Sequence, residues 1–172
     1  MQANERRRQI VQKLKITTAP LSATAIAALF SVSRQVIVGD IALLRAGGYQ
    51  ILATPRGYIL EKEGAHDYIE ADIACKHDDG QMGEELYTIV DLGGAILNVT
   101  VAHSVYGEIC APLHVCSRFD ADDFLEKIAA SKARPLSELT DGIHLHRIRC
   151  ADEETLERIK AALAAKGLLL TV

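Results

Sequence analysis

The spacing of apolar residues in the first 60 positions predicts three helices. They are expected over residues 5–16, 23–30 and 34–46. Ser22 and Ser33 precede the second and third helices as N-capping residues, and Gly47-Gly48 ends the third. Two helices joined by a turn of about three residues are typical of a helix-turn-helix.

Two short strands are predicted after the third helix, over residues 49–53 and 58–60. The turn between them is Thr54-Pro55-Arg56-Gly57, which places an arginine at the tip of a hairpin. Such a hairpin is the wing of a winged helix-turn-helix. The polar stretch that follows predicts a domain boundary, with a DNA-binding domain over 1–62 and a second domain over 63–172.

The second domain mixes strand and helix patterns along the chain. Strands are predicted over residues 67–77, 95–102, 105–113, 143–150 and 168–172, and helices over 82–92, 120–131 and 153–165. This order indicates an α+β fold with helices on one face of a largely antiparallel sheet.

Two histidines share one predicted strand in the stretch Gly142-Ile143-His144-Leu145-His146. Side chains alternate between the faces of a strand, so His144 and His146 are expected on the same face. Ile143 and Leu145 are expected to face the core. The pair suits metal binding, although two solvated histidines on a polar strand face remain an alternative.

Two further stretches of the second domain carry candidate chemistry. In one, His77-Asp78-Asp79-Gly80 is followed by Glu85 near a predicted helix start, and alternation places Cys75 on the face of His77. The other begins at His103, a lone histidine of a type that is commonly structural. Imidazole and carboxylate ligands suit nickel, zinc, iron or cobalt, but spacing alone does not establish that these residues meet.

The composition favours a cytoplasmic protein with no membrane segment. The chain has 172 residues, 49% of them hydrophobic, but no apolar run approaches the roughly 20 residues of a membrane span. The first eight residues are polar and basic, and no signal-peptide pattern follows. The four cysteines form no C-x-x-C pair, and most are expected to be small buried hydrophobes.

The charge is distributed unevenly between the two predicted domains. Residues 1–60 carry eight Lys and Arg against two acidic residues, a net charge of +6, and the remainder carries −10. A basic helix-turn-helix favours DNA binding over its alternative use in protein contacts. Arg6, Arg7 and Arg8 are expected to add phosphate contacts. The predicted operator-contacting residues are Ser33, Arg34 and Gln35 at the start of the third helix, and Arg56 in the wing.

Taken together, several motifs carry a resemblance to a known family over essentially the whole chain. They are Val32-Ser33-Arg34-Gln35-Val36-Ile37-Val38, Leu43-Leu44-Arg45-Ala46-Gly47-Gly48-Tyr49, Ala53-Thr54-Pro55-Arg56-Gly57-Tyr58, Val105-Tyr106-Gly107 and Gly142-Ile143-His144-Leu145-His146. The chain resembles the niacin-responsive transcriptional repressors of the NiaR/YrxA family, in which a winged helix-turn-helix precedes a 3H domain.

This resemblance implies a homodimeric repressor of genes for niacin uptake and NAD biosynthesis, with nicotinic acid as its co-repressor. It also implies a divalent transition metal, with nickel favoured over zinc or iron. The metal ligands implied by the resemblance are His77, Glu85, His144 and His146, and the implied effector-binding residues are His103 and Tyr106.

Two positions depart from the family pattern. Gly39 stands in the recognition helix where a larger polar residue is expected, which affects the operator sequence. Ser104 stands where proline is expected after the histidine, which affects the local loop and removes no ligand.

Three other functions remain open at the level of sequence. A metalloregulator that responds to the metal itself requires the same residues. A metal-dependent hydrolase would need a general base, and Glu85 cannot easily serve as that base if it is a ligand, so we expect a regulator and not an enzyme. A plain interaction module is the last alternative.

Overall fold

The chain forms two structural units, Met1–Ala65 and His66–Val172. The structure, a computed structural model, describes residues 2–61, 68–131 and 134–171. The predicted domain boundary between residues 62 and 63 and the predicted strand start at Asp67 lie outside the described residues.

The first unit contains three helices and a hairpin, in the predicted order. Its elements are α1 (Ala3–Ile16), α2 (Ala23–Phe30), α3 (Arg34–Ala46), β1 (Ile51–Thr54) and β2 (Gly57–Leu60). Both predicted N-caps are present, since the Ser22 hydroxyl accepts a hydrogen bond from the backbone of Ala25 and the Ser33 hydroxyl accepts one from Val36. The core is built from the apolar faces of all three helices, with Ile10, Ile26, Ile37 and Ile41 almost completely buried.

A buried carboxylate joins α1 to α3. Asp40 is 4% exposed; its Oδ2 accepts a hydrogen bond from Arg6 Nε at 2.6 Å, and its Oδ1 accepts one from Arg7 Nη1 at 3.1 Å. Two of the three arginines expected to contact phosphates are therefore paired with a buried carboxylate, whereas the third, Arg8, pairs with the exposed Glu5. Asp40 offsets one of their two positive charges, so the two arginines together present about one net positive charge to a phosphate backbone.

The wing packs against the segment between α1 and α2. Tyr58 N donates to Leu21 O at 2.8 Å, and Leu21 N donates to Tyr58 O at 2.9 Å. Gly57 has a φ of +135°, and a Cβ atom there would lie 2.3 Å from Leu21 O. Only glycine satisfies both the backbone conformation and this close approach.

The second unit has helices packed on one face of a four-stranded antiparallel sheet, which confirms the predicted fold class. Its strand order is β3-β6-β4-β5. Its strands are β3 (Ile69–Lys76), β4 (Ala95–His103), β5 (Gly107–Val115) and β6 (Ile143–Cys150), and its helices are α4 (Met82–Asp91), α5 (Arg118–Ala130) and α6 (Glu153–Ala165). The described part of this unit also contains two 3₁₀ segments. Asp79–Gln81 follows β3, and Leu136–Thr140 precedes β6.

Several predicted strands differ from the structure at their ends, and two in the second unit differ in what their residues do. The strand predicted over 105–113 begins at Gly107, because Val105 and Tyr106 belong to the turn after β4. The segment predicted as a strand over 168–172 makes an isolated bridge between Leu169 and Cys75. Leu168 O accepts a hydrogen bond from Lys76 N at 2.9 Å, so this segment still pairs with the edge of the sheet.

The prediction that Ile143 and Leu145 face the core is wrong. They are 44% and 39% exposed, whereas His144 and His146 are each 3% exposed. The alternation itself is as expected, but the helices cover the histidine face. That face also carries Ile148, which is fully buried.

Of the four cysteines, Cys75 and Cys150 are buried as expected, whereas Cys110 and Cys116 are exposed. Within the described residues, no single helix is long and apolar enough to cross a membrane. The adjacent helices α2 and α3, bent by 104°, meet that length-and-composition criterion only when they are taken together.

Candidate metal centre

Four of the predicted site residues converge beneath the helices of the second unit. Glu85, in the first turn of α4, has its carboxylate at the centre of the group. Its Oε2 atom lies 2.7 Å from His77 Nε2, 3.3 Å from His144 Nε2 and 3.3 Å from His146 Nε2. Each of the four side chains is at most 4% exposed, so the group is shielded from bulk solvent.

The register of two neighbouring strands brings the histidines to this point. In the β3–β6 pair, Cys75 lies opposite His144 and Ile73 lies opposite His146. Side chains directly opposite each other share one face of an antiparallel sheet. His77 directly follows β3, and its backbone N–H donates to Gly142 O just before β6.

Backbone carbonyl groups fix the orientation of all three imidazoles. The Nδ1 atoms of His77, His144 and His146 lie 2.7, 2.9 and 2.7 Å from the carbonyl oxygens of Asp78, Gly142 and Asn98. Because a carbonyl oxygen only accepts hydrogen bonds, each Nδ1 carries the proton. In a neutral ring, the Nε2 atom that faces Glu85 is therefore a bare acceptor.

These Nε2 atoms face a carboxylate that also only accepts. Acceptors separated by 2.7–3.3 Å need a cation between them, either a proton on an imidazole or a metal ion. Protonation of all three rings would place three buried positive charges around one negative charge, which is costly in a site of low polarity. A divalent cation satisfies all four groups with a smaller net charge.

The pKa shifts of the histidines and of Glu85 show that these groups interact strongly with one another. Burial opposes charge on His77 and on His146, but the negative charge and hydrogen bonding of Glu85 outweigh it, so both pKa values are raised. Burial likewise opposes charge on Glu85. The positive charge of His146 and hydrogen bonds from the three histidines outweigh it, so the pKa of Glu85 is well below its usual range.

The residues present fit a divalent transition metal. Imidazole and carboxylate are ligands of nickel, zinc and iron, and a backbone carbonyl on the opposite ring nitrogen is the usual outer partner of a metal-bound histidine. His77, Glu85, His144 and His146 would hold the ion. Glu85 Oε2 lies 2.7–3.3 Å from each of the three ring nitrogens, a spacing compatible with ligands of one small cation.

Cys75 is an additional candidate ligand that is absent from the predicted set. Its Sγ atom, a Glu85 oxygen and a His144 ring nitrogen all lie within 4.8 Å of one another. Burial and the neighbouring Glu85 raise the pKa of the thiol, so it is neutral in the metal-free protein. Alternation along β3 already placed Cys75 on the face of His77, which was the signal available in the sequence.

The two predicted effector residues lie at the turn between β4 and β5. His103 Nδ1 accepts hydrogen bonds from Val105 N at 3.1 Å and Tyr106 N at 3.2 Å. The rings of His103 and Tyr106 lie 5.0 Å apart, and Tyr106 is 77% exposed. His103 therefore stabilises this turn, and its effector role stays a prediction.

A cavity of about 840 Å³ borders the histidine–glutamate group. His77 and Gly142 belong to its wall, and Lys76 is the basic residue among its described lining. The remaining lining residues are mostly acidic or small, namely Asp78, Asp79, Gly80, Ser137, Glu138 and Asp141. His103 and Tyr106 do not belong to the described lining of this cavity.

The predicted DNA-contacting residues lie in the first unit. Ser33, Arg34 and Gln35 are exposed at the N-terminal end of α3. The Ser33 hydroxyl is already occupied as the cap of the helix, accepting from Val36 N at 3.3 Å. Arg56 is half-buried in the wing turn, where its backbone N–H donates to Thr54 Oγ1.

Comparison with known proteins matches both units. Residues 6–59 match the helix-turn-helix domain family, and residues 70–172 match the 3H domain family. The chain belongs to the NiaR-like repressor family. It is 44% identical over 166 residues to the probable transcription repressor NiaR of Thermotoga maritima, covering 96% of this chain and 94% of that protein. It is 40% identical over 167 residues to the transcription repressor NadR of Bacillus subtilis, covering 96% and 93%.

The NiaR-like assignment gives each unit a role. The first unit is the helix-turn-helix through which a transcription repressor of this family binds DNA, and the second is its 3H domain. Two histidines of the buried group in the NiaR-like chain, His144 and His146, come from one strand of the 3H domain, and α4 supplies Glu85.

Proposed function

We propose that this protein represses genes for niacin uptake and NAD biosynthesis, with nicotinic acid as co-repressor and a divalent metal in the 3H domain. It acts in the cytoplasm as a homodimer on double-stranded operator DNA. The co-repressor, the gene targets and the dimer come from the family resemblance. The metal is additionally supported by the buried residues of this chain.

The convergence of three Nε2 atoms on Glu85 is the observation that carries the metal proposal. His77, His144 and His146 each present an acceptor to an acceptor carboxylate, with Nδ1 engaged elsewhere. An arrangement of this kind needs a cation between the nitrogens and the carboxylate, and a divalent metal satisfies all of these groups with less buried charge than three protonated rings. When bound, the metal would supply a Lewis-acidic position for an anionic ligand.

The neighbouring cavity supports an effector site beside the metal. Its volume of about 840 Å³ is ample for nicotinic acid, a single aromatic ring with one carboxylate. Most charged groups in the described lining are acidic, so the carboxylate of the effector needs a cationic partner. Lys76 and the metal at His77 are the candidates for that partner.

Effector binding would change DNA affinity by shifting the equilibrium between two geometries of the dimer, of which one is compatible with the operator. Repressors of this type place two recognition helices in successive major grooves, about 34 Å apart. Nicotinic acid favours the operator-compatible geometry only by its difference in affinity for the two states. The direction, tighter DNA binding with the effector, follows from the resemblance.

Fluorescence anisotropy tests this function directly. Labelled DNA from upstream of the niacin and NAD genes is titrated with the full-length protein at fixed salt and fixed nickel concentration. The titration is repeated with nicotinic acid and with nicotinamide, which lacks the carboxylate. We expect tighter operator binding with nicotinic acid alone, and no change on a scrambled duplex.

The same assay distinguishes the niacin-responsive repressor from the second candidate function. The buried centre would also suit a metalloregulator whose DNA affinity responds to the metal itself. Removal of nickel by a chelator, without nicotinic acid, would then change operator affinity, whereas nicotinic acid would leave it unchanged. That result would replace the niacin proposal with the metal-sensor function.

A further inference from the structure

The recognition helix α3 contains a glycine, Gly39, that no contact among the described residues requires. Gly39 lies in the middle of the helix with ordinary helical backbone, because its φ is not positive. A Cβ atom built there would meet no atom within 4 Å. Glycine costs helix stability relative to alanine, so its presence here has no internal structural benefit.

Gly39 lies on the side of α3 that faces away from the core. The buried residues of the helix are Ile37, Asp40, Ile41 and Leu44. Gly39 and Gln35 are one turn apart on the opposite side, since residues at i and i+4 lie on the same face. Both are exposed; Gln35 lies in the N-terminal turn of α3, where residues meet base edges in this class of protein, and Gly39 lies one turn further along.

Val36 is an exposed apolar side chain beside these two residues. It is 38% exposed in the first turn of α3, where its backbone N–H is held by the Ser33 cap. A valine at this position adds nothing to solubility and lies off the core face. Apolar side chains in the major groove contact the 5-methyl group of thymine, which is a direct form of base recognition.

We propose that Gly39 and Val36 determine operator specificity. The missing side chain of Gly39 lets the backbone of α3 approach the floor of the major groove. At that depth Val36 contacts a thymine methyl group, and Gln35 makes a bidentate contact to an adenine. Each half-site then contains a thymine whose methyl group contacts Val36. This inference rests on DNA binding by the helix-turn-helix and, for the two half-sites, on the proposed homodimer; it does not depend on the metal or on nicotinic acid.

Uracil substitution isolates the proposed contact, because uracil differs from thymine only by the 5-methyl group. An operator is first selected from a random duplex pool with the full-length protein, with nickel and nicotinic acid present throughout. Each thymine is then replaced singly by uracil. We expect one substitution per half-site to weaken wild-type binding about 4-fold, the effect of one buried methyl group.

Two variants connect this effect to Val36. In Val36→Ala the thymine and uracil duplexes should bind equally at that position. In Leu43→Ala, which truncates another exposed apolar residue of α3, the 4-fold preference should persist. Equal weakening of both duplexes by Val36→Ala would overturn the assignment of Val36. A pool that yields no enriched sequence would overturn base recognition by α3 altogether.

Gly39→Ala tests the close approach independently. The added methyl group has room in the unbound protein and improves helix propensity, so the thermal midpoint should rise. Operator affinity should nevertheless fall by about 10-fold, because the methyl group separates α3 from the groove floor. A structural role would change stability and affinity in the same direction. Operator affinity equal to wild type would overturn the role of Gly39.

Discussion

The carbonyl oxygen of His77 lies 2.3 Å from the position that a Cβ atom would occupy on Gly142. Gly142 also has a φ of +86°, and its own carbonyl oxygen accepts the hydrogen bond from His144 Nδ1. The chain after β3 and the chain before β6 therefore approach as closely as backbone allows. This approach lets His77 and His144 reach the same carboxylate.

Gly142→Ala should disturb both the fold and the metal site. Backbone strain at a positive φ lowers the free energy of unfolding by about 1–3 kcal/mol, and displacement of His77 adds to this cost. Metal affinity should fall by about 10-fold or more, as it does when ligand orientation is lost. Urea unfolding and calorimetric titration with nickel measure the two effects.

Gly93→Ala is the matched control for this substitution. Gly93 has a φ of +90°, but a Cβ atom there would meet nothing within 4 Å. The control therefore carries the backbone strain without the close approach, and it should lose stability while retaining nickel affinity. Equal nickel affinity in both variants would contradict the role assigned to Gly142.

Replacement of both strand histidines should abolish metal binding. The double variant His144→Ala and His146→Ala removes two of the three imidazoles that face Glu85. We expect no stoichiometric nickel by elemental analysis after gel filtration, and no response of operator affinity to nicotinic acid. If the double variant keeps both the metal and the response, this ligand set is wrong.

His103→Ala provides the comparison within the same domain. His103 accepts hydrogen bonds from the turn before β5, so its loss should leave nickel stoichiometry unchanged. The family resemblance predicts that the nicotinic acid response nevertheless weakens. A full response in His103→Ala would remove this residue from the effector site.

The metal-free protein should lose stability as the pH rises above neutrality. The pKa values of His77 and His146 are raised above their ordinary value of 6.5 in the folded state. Their contribution to the free energy of unfolding is complete below pH 6.5. It is lost as the pH rises through the raised pKa values of the two histidines in the folded state. Glu85 affects stability in the opposite direction. Its contribution to the free energy of unfolding is present above pH 4.5 and is lost as the pH falls through its lowered pKa.

Bound metal should reverse this loss of stability at higher pH, because metal binding requires unprotonated imidazoles. The rise in thermal midpoint caused by nickel should therefore grow between about pH 6 and about pH 8. Calorimetric scans with a chelator and with nickel measure the difference. A midpoint that is independent of pH in the chelator series would contradict the coupling between the histidines and Glu85.

Asp40→Asn should destabilise the first unit. Asp40 is buried and accepts hydrogen bonds from both Arg6 and Arg7, and an uncharged amide weakens them. Hydrogen bonds to charged groups contribute about 1.5–3 kcal/mol, and we expect a loss of that order. Hydrogen exchange of the α1 amides reports the change in this unit specifically.

Glu5→Gln controls for the loss of an acidic residue from the same unit. Glu5 pairs with Arg8 across one turn of α1, with both side chains largely exposed at 48% and 81%. An exposed pair contributes at most about 1 kcal/mol. Amide protection in α1 that is the same in both variants would show that the Asp40 contacts do not hold α1 against α3.

Local sequence signals were enough to predict the helices, most of the strands and the family. The capping residues Ser22 and Ser33 mark the starts of two helices, and each cap accepts the expected backbone hydrogen bond. These signals are reliable because a cap and its helix interact within four residues of sequence. The alternation in β6 likewise required that His144 and His146 share a face.

Only the tertiary structure decided which face of β6 is buried. Alternation is symmetrical between the two faces, and hydrophobicity assigned Ile143 and Leu145 to the inside, where the structure places the histidines. The carboxylate on α4 reverses that choice, because it gives buried imidazoles the partner they need. The convergence of His77 and Cys75 on the same point depends on strand register and on Gly142, which are long-range contacts that no local pattern records.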